Sequence, residues 1–156
     1  MVNKSNFGWI DSRNLKLQAK AVVKCLGGGD DAYRLILETA GVESQFGMIK
    51  DRTKGAGIGI CQFDKIPFYD RKPKMLKYRD KVLQDLGVDL FLVEWEHLRY
   101  DSFVSLIMCR LYYLIIKEPL PNDLIGRARY WKKYYNTSAG KGTFSHYTKA
   151  STKFDW

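Results

Sequence analysis

Two acidic residues eight positions apart, Glu43 and Asp51, sit in contrasting contexts. Glu43 closes an apolar stripe formed by Ala32, Ile36 and Ala40, at the end of a helix that the periodicity predicts over Asp31 to about Ser44. A carboxyl at the edge of such a stripe loses hydration, which raises its pKa. The negative end of the helix dipole acts in the same direction. Both effects keep a proton on Glu43 near neutral pH, as the acid that cleaves a glycosidic bond requires. Asp51 lies in the polar run Lys50-Asp51-Arg52 and is expected to stay ionised. Carboxyls in different surroundings can divide the acid role from the base or nucleophile role. The plainer alternatives are a solvated helix-end Glu43 paired with Lys50 or Arg52, and an Asp51 that serves only a turn.

Other reactive side chains are weaker candidates. Cys61, His97 and His146 contain the elements of a thiol-imidazole pair. Yet Cys61 lies between Ile60 and Phe63 like a small core residue, His97 reads as a helix-face residue, and His146 falls in a polar tail. Gly55-Ala56-Gly57-Ile58-Gly59 follows Lys50 to Lys54 rather than a buried strand, so it does not fit a dinucleotide fingerprint. Gly27-Gly28-Gly29 lacks the following Gly-Lys-Ser/Thr of a P-loop and is expected to be a turn with positive φ. The three cysteines, Cys25, Cys61 and Cys109, form no CxxC and no closed disulfide set, which points to reduced thiols.

The elements that must position these residues are mostly helical. Ser12 is the expected cap of a helix to about Cys25, with Leu15, Ala19, Val22 and Val23 on one face. Gly27 to Gly29 end it, and Asp30 is the expected cap of the next helix. Residues 47–63 do not pattern as helix; alternation of Ile58 and Ile60 among glycines suits a small hairpin or an extended loop. Pro67 and Pro73 bracket a short connection. A basic amphipathic helix follows from Lys74 to Leu86, where Gly87 stops it. Asp89 is the expected cap of a helix to Leu98. Asp101 or Ser102 caps the most apolar helix, to about Lys117, and Asn122 or Asp123 caps one to about Tyr135, followed by a polar tail. Helices around one small β element make an α+β fold, mostly α-helical, over a single domain of residues 1–156.

Composition bounds the function. The 156 residues are 46% hydrophobic and 14% aromatic, which excludes disorder as the main state. A formal charge of +9 favours an anionic partner such as nucleic acid, an anionic membrane or an acidic wall polymer. Met1 to Asp11 has no apolar core of a secretory signal, and the apolar run Phe103 to Ile116 is too short to span a bilayer and contains Arg110.

Glu43-Ser44-Gln45-Phe46 followed by Gly55-Ala56-Gly57-Ile58-Gly59-Ile60-Cys61-Gln62 resembles the Glu-Ser-x-Phe … Gly-Ala-x-Gly-Leu-Met-Gln signature of Slt-type lytic transglycosylases, with one extra residue in the Gly-rich part. Tyr135-Asn136-Thr137-Ser138-Ala139-Gly140 is similar to that family's Ala-Tyr-Asn-Ala-Gly motif, with two residues inserted. Lys50-Asp51 and Gly57-Ile58-Gly59-Ile60 also resemble the Lys-Asp and Thr-Ile-Gly-Ile run of phage lysozymes and endolysins. Gly57 stands where those have Thr, and Gln62 where they have His.

The resemblance implies a lysozyme-like domain that cuts the peptidoglycan glycan strand at the β-1,4 bond after N-acetylmuramic acid. Glu43 would be the acid, Tyr135 its orienting phenol, and Asp51 the second carboxylate of a hydrolytic variant. Ser44, Phe46, Gly57, Gln62 and Asn136 would support or line the substrate groove. No metal or other cofactor is implied. The implied enzyme is monomeric, made in a host cytoplasm without a signal peptide, and acts on the wall after release or from a virion, drawn to the anionic wall or outer membrane. The transglycosylase reading is favoured over the muramidase. A basic nucleic-acid-binding module, using Arg127, Arg129, Lys132 and Lys133 with Tyr130, Trp131 and Tyr134, and a Cys-dependent wall amidase or peptidase are the readings from other classes.

Overall fold

The computed structural model describes residues 11–46, 57–136 and 142–153. Asp51, with Lys50, Arg52, Gly55 and Ala56, lies outside the described residues, as do Thr137 to Lys141. The described residues form seven α-helices: α1 (Ser12–Leu26), α2 (Gly29–Ser44), α3 (Lys65–Met75), α4 (Arg79–Leu86), α5 (Ser102–Leu114), α6 (Leu124–Trp131) and α7 (Phe144–Ser151).

The centre of the packing is α5. Leu106, Ile107, Met108, Cys109, Leu111, Tyr112 and Tyr113 are all buried, so this helix is covered on every side. Against it pack α1, through a stripe of Leu15, Ala19, Val22 and Leu26, and α2, through Leu35, Ile36 and Ala40. The buried Arg110 of α5 donates from Nε to the Gly27 carbonyl at 3.0 Å, satisfying a group left open where α1 ends. Gly28 could carry no side chain there, because a Cβ would stand 2.8 Å from the Arg110 Nη2 and 2.4 Å from the Ala32 Cβ.

Several boundaries differ from expectation. Asp11, not Ser12, caps α1, accepting from the Asn14 N–H at 3.1 Å. The N-cap of α2 is Gly28, with left-handed backbone; Asp30 and Asp31 sit in the first turn, where acidic groups favour the helix dipole. The stretch between Pro67 and Pro73 is helix α3 rather than a connection. Pro67 falls in the first turn, where its missing N–H is not needed, and Pro73 lies one turn before a 3-10 segment, Leu76–Tyr78, that separates α3 from α4. The expected helix from Lys74 to Leu86 is therefore split. The expected helix from Asp89 to Leu98 is two 3-10 turns, Leu90–Leu92 and Trp95–Arg99, with Asp89 capping the first through the Phe91 N–H. Asp101 and Asp123 cap α5 and α6 as the sequence predicts. After α6 the chain continues as one π-helical turn, Lys132–Asn136.

The tail is not merely polar. Thr143 and His146 form a reciprocal cap on α7, whose Tyr147 is fully buried. The β element is correspondingly small. Among the described residues it is a single antiparallel bridge, Ile58 with Phe63, closed by the turn Gly59–Gln62. The fold is mostly α-helical as expected; of the hairpin or extended loop expected over residues 47–63, the described part, 57–63, shows that bridge and no further strand pairing.

Candidate functional site

Glu43 occupies the last turn of α2, and the backbone beyond it is held in an unfavourable shape. Gln45 and Phe46 have φ of 48° and 58°. Gln62, in the facing turn, has φ of 50°. These are the non-glycine residues with positive φ among those described, and all three flank Glu43 or lie in the facing turn. Backbone of this kind costs on the order of 1–3 kcal/mol per residue and persists where surrounding contacts enforce it, often at functional sites.

The enforcing contacts are specific. Ser44 Oγ donates to the Ile60 carbonyl at 2.6 Å, tying the end of α2 to the Gly59–Gln62 turn. The Phe46 N–H returns to the Ala40 carbonyl at 3.1 Å, and the Phe46 ring lies over Gly41, where a Cβ would meet it at 2.7 Å. The turn itself is clamped by close approach. A Cβ on Gly57 would stand 2.3 Å from the Gln62 carbonyl oxygen, and one on Gly59 2.2 Å from that of Leu98. The Trp95 indole fixes the far end of the turn, donating to the Phe63 carbonyl at 2.7 Å.

The Glu43 carboxyl accepts a hydrogen bond from the Trp131 indole at 2.9 Å. Its pKa is pushed up to about 8. Burial is the main cause; the Trp131 bond opposes it, the Asp64 charge adds to it, and the Lys132 charge opposes it. A pocket of about 120 Å³ is lined by Gln62, Asp64, Arg71, Tyr112, Tyr135 and Asn136, among others, and Glu43 itself is not part of its wall. Burial drives the Tyr135 phenol well above its ordinary pKa and that of Tyr112 to about 12, and the Glu43 charge adds to both shifts. Glu43 thus lies within electrostatic reach of three pocket residues: Asp64, Tyr112 and Tyr135.

The residues singled out from sequence are brought together unevenly. Gln62 and the adjacent pair Tyr135-Asn136, 73 positions further along the chain, share the pocket wall. The Tyr135 hydroxyl donates to the Cys61 carbonyl, and its ring packs among Phe63, Tyr112 and Tyr113. The Glu43 donor is therefore Trp131, and Tyr135 braces the Gly-rich turn instead. Gln62 donates from Nε2 to the Gly59 carbonyl, and Asn136 accepts from Lys132 Nζ at 2.7 Å. Ser44 and Gly57 are buried and shape the turn. Phe46 folds back on α2 rather than facing the pocket. Asp51, outside the described residues, has no assigned geometry. Nothing local marks Asp64, Arg71 or Tyr112 as site residues, and Trp131 stood out only in the nucleic-acid-binding reading; they reach the site from the cap of α3, α3 itself, α5 and α6.

The competing chemistries find little support in this arrangement. Burial pushes the Cys61 thiol well up, with a hydrogen bond to Cys109 adding to it. His97 and His146 each use Nδ1 to accept a cap N–H, from Glu94 and Thr143. The basic-aromatic segment is largely spent inside the protein. Arg127 is buried against Glu38, Trp131 is buried against Glu43, and Lys133 pairs with Glu118 at 3.1 Å. Among the described residues no cluster of His, Cys, Asp and Glu could hold a metal ion, and no helix is long and apolar enough to cross a membrane.

No protein-family model, curated protein or solved structure matches the chain.

Proposed function

We propose that the protein is a peptidoglycan-degrading glycosidase that cuts the β-1,4 bond between N-acetylmuramic acid and N-acetylglucosamine, with Glu43 as general acid. The observation that carries this reading is the Glu43 carboxyl, with its pKa near 8, held by an indole donor next to strained backbone and within electrostatic reach of Asp64, Tyr112 and Tyr135 in the wall of a polar pocket. Such a carboxyl keeps its proton at neutral pH and can deliver it to a leaving oxygen.

In the transglycosylase form, Glu43 protonates the glycosidic oxygen as the bond to C1 breaks. The resulting carboxylate then takes the proton of the muramic acid 6-hydroxyl while that oxygen bonds to C1. The product carries a 1,6-anhydro end, the proton is back on Glu43, and no water is consumed. Trp131 would hold the carboxyl through both steps, its N–H bond easing the ionised interval. In the hydrolytic form a second carboxylate is needed. Asp51 is the candidate from sequence, and Asp64 is a described acid whose charge reaches Glu43. The transglycosylase form is favoured because Gln62, Tyr135 and Asn136, which carry that resemblance, share one pocket. A basic protein of this kind would be drawn to the anionic wall, reached on release from a host cell or from a virion.

The test is mass spectrometry of products from purified murein. Wild type should yield fragments with 1,6-anhydro ends. Glu43→Gln should lower the rate by at least about 100-fold while remaining folded. Asp51→Asn and Asp64→Asn should retain cleavage. Reducing ends lost in either Asn variant would establish the muramidase instead, and full activity in a folded Glu43→Gln protein would exclude the mechanism.

A further inference from the structure

Among the described residues Arg71 is a cation left unspent by any carboxylate. It lies on α3, half-buried, in the wall of the pocket that also holds Asp64, Tyr112 and Tyr135. Its guanidinium carbon stands 3.7 Å from the centroid of the Tyr112 ring. Two other cations of the same helix have partners: Lys65 pairs with Glu96, and Lys72 donates to the carbonyls of Phe91 and Val93. Arg71 pairs with no carboxylate and donates no hydrogen bond among the described residues, so Tyr112 is the contact that holds it. Contact at that distance favours a guanidinium lying over the ring, which steadies the group while leaving its N–H edge unspent. A steadied fork of that kind is suited to bidentate recognition of a planar carboxylate.

The rest of the pocket narrows the ligand. Gln62 and Asn136 supply neutral polar walls, and about 120 Å³ leaves room for a carboxylate and the group that carries it. Asp64 is exposed at the same pocket; its charge disfavours a dianion such as phosphate more than a monoanionic carboxylate.

We infer that Arg71 binds a carboxylate carried by the substrate glycan beside the cleavage site, either the lactyl carboxylate of muramic acid or a carboxylate of its peptide stem. The source of the carboxylate rests on the function proposed above; recognition of the carboxylate itself rests on the pocket alone. Arg71 is thereby a specificity residue, selecting acid-bearing strands over neutral N-acetylglucosamine polymers.

Titration of the wild-type protein, followed through the Arg71 Nε–H resonance and, for wild type and variants alike, by calorimetry of binding, tests this. The probes are N-acetylmuramic acid, N-acetylmuramoyl-dipeptide, acetate and N-acetylglucosamine; none contains a bond for the enzyme to cut. The carboxylated probes should shift the resonance with an affinity that weakens with salt, and N-acetylglucosamine should not. The tighter of the two muramyl probes identifies the source. Arg71→Gln should weaken the better muramyl probe about 10-fold or more, the scale of a lost charge-assisted pair, and Arg71→Lys by less. Should the Gln variant fail to fold, the Lys variant and the wild-type preference for charged probes decide. Equal binding of charged and neutral sugars by wild type, or unchanged affinity in a folded Arg71→Gln protein, would overturn the inference. Carboxylate binding without cleavage of murein would uphold Arg71 and sink the glycosidase. Cleavage of murein with charged and neutral probes bound alike would do the reverse.

Discussion

A glutamate whose folded pKa is about 8 titrates with consequences for stability as well as chemistry. In the unfolded chain the Glu43 carboxyl ionises near its ordinary value of 4.5, whereas the native site holds the proton to about 8. Between those values the native state binds the extra proton, so stability falls as pH rises through the window and levels off above it. Glu43→Gln has nothing to ionise. It is expected to melt with wild type at pH 4 and above it at pH 8.5, by on the order of 5 °C, given the sensitivity of a chain this size. Calorimetry at the two pH values checks this, and a constant gap would mean that Glu43 is hydrated in the native state. With Glu43 as the proposed acid, the same titration would set the alkaline limb of activity. Murein cleavage should then decline as pH passes about 8.

Among the elements, the turn from Gly57 to Phe63 does most to bring distant parts together. It receives Ser44 from α2, Tyr135 from the turn after α6 and Trp95 from the 3-10 segment, each through a backbone carbonyl. Gly59 is indispensable there on two counts. Its φ is +77°, and a Cβ would lie 2.2 Å from the Leu98 carbonyl oxygen, a rigid backbone atom. Gly59→Ala is therefore expected to destabilise the protein by about 2–4 kcal/mol, combining left-handed strain with displacement of Leu98. Chemical denaturation measures the loss. Murein cleavage by the protein that remains folded should fall as well, since the turn carries Gln62 into the pocket; an Ala variant with wild-type stability and rate would contradict this account.

Across the whole molecule, the C-terminal helix is fastened by charge rather than by apolar area alone. Glu38, almost fully buried in α2, accepts from Arg127 Nε at 2.6 Å and Nη2 at 3.1 Å, and from the Tyr147 hydroxyl at 2.8 Å. The three groups join α2, α6 and α7, and Arg127 also lies 3.9 Å from Asp31. A buried pair of this kind contributes little net stability against a well-packed apolar replacement, but removing one partner strands the other. Arg127→Met should cost about 3–5 kcal/mol in denaturant unfolding, whereas Arg127→Met combined with Glu38→Leu should recover part of that loss. Equal losses in the single and double variants would mean that the pair does not act as a unit. Since α6 also carries Trp131 to Glu43, the single variant is expected to lower murein cleavage in step with stability.

Local chemistry determined what could be read along the chain. Apolar spacing marked α1, α2, α5 and α6, and side-chain caps at Asp101 and Asp123 fixed where two of them start. Glu43 was legible because its stripe and helix end are neighbours in sequence, and Ser44, Gln62, Tyr135 and Asn136 through short motifs. What escaped notice depends on partners far away in the chain. Helix α7 is only eight residues long and gains its buried partner from Glu38, 109 residues earlier. Trp131, at the end of α6, bonds the Glu43 carboxyl, while Tyr135, one turn further on, bonds the Cys61 carbonyl instead. Arg71 gained its place from a ring on another helix, and no local pattern announces that contact. Periodicity and capping act over one or two turns and are written in neighbouring residues, whereas burial, charge pairing and ring contact form only when separate elements meet.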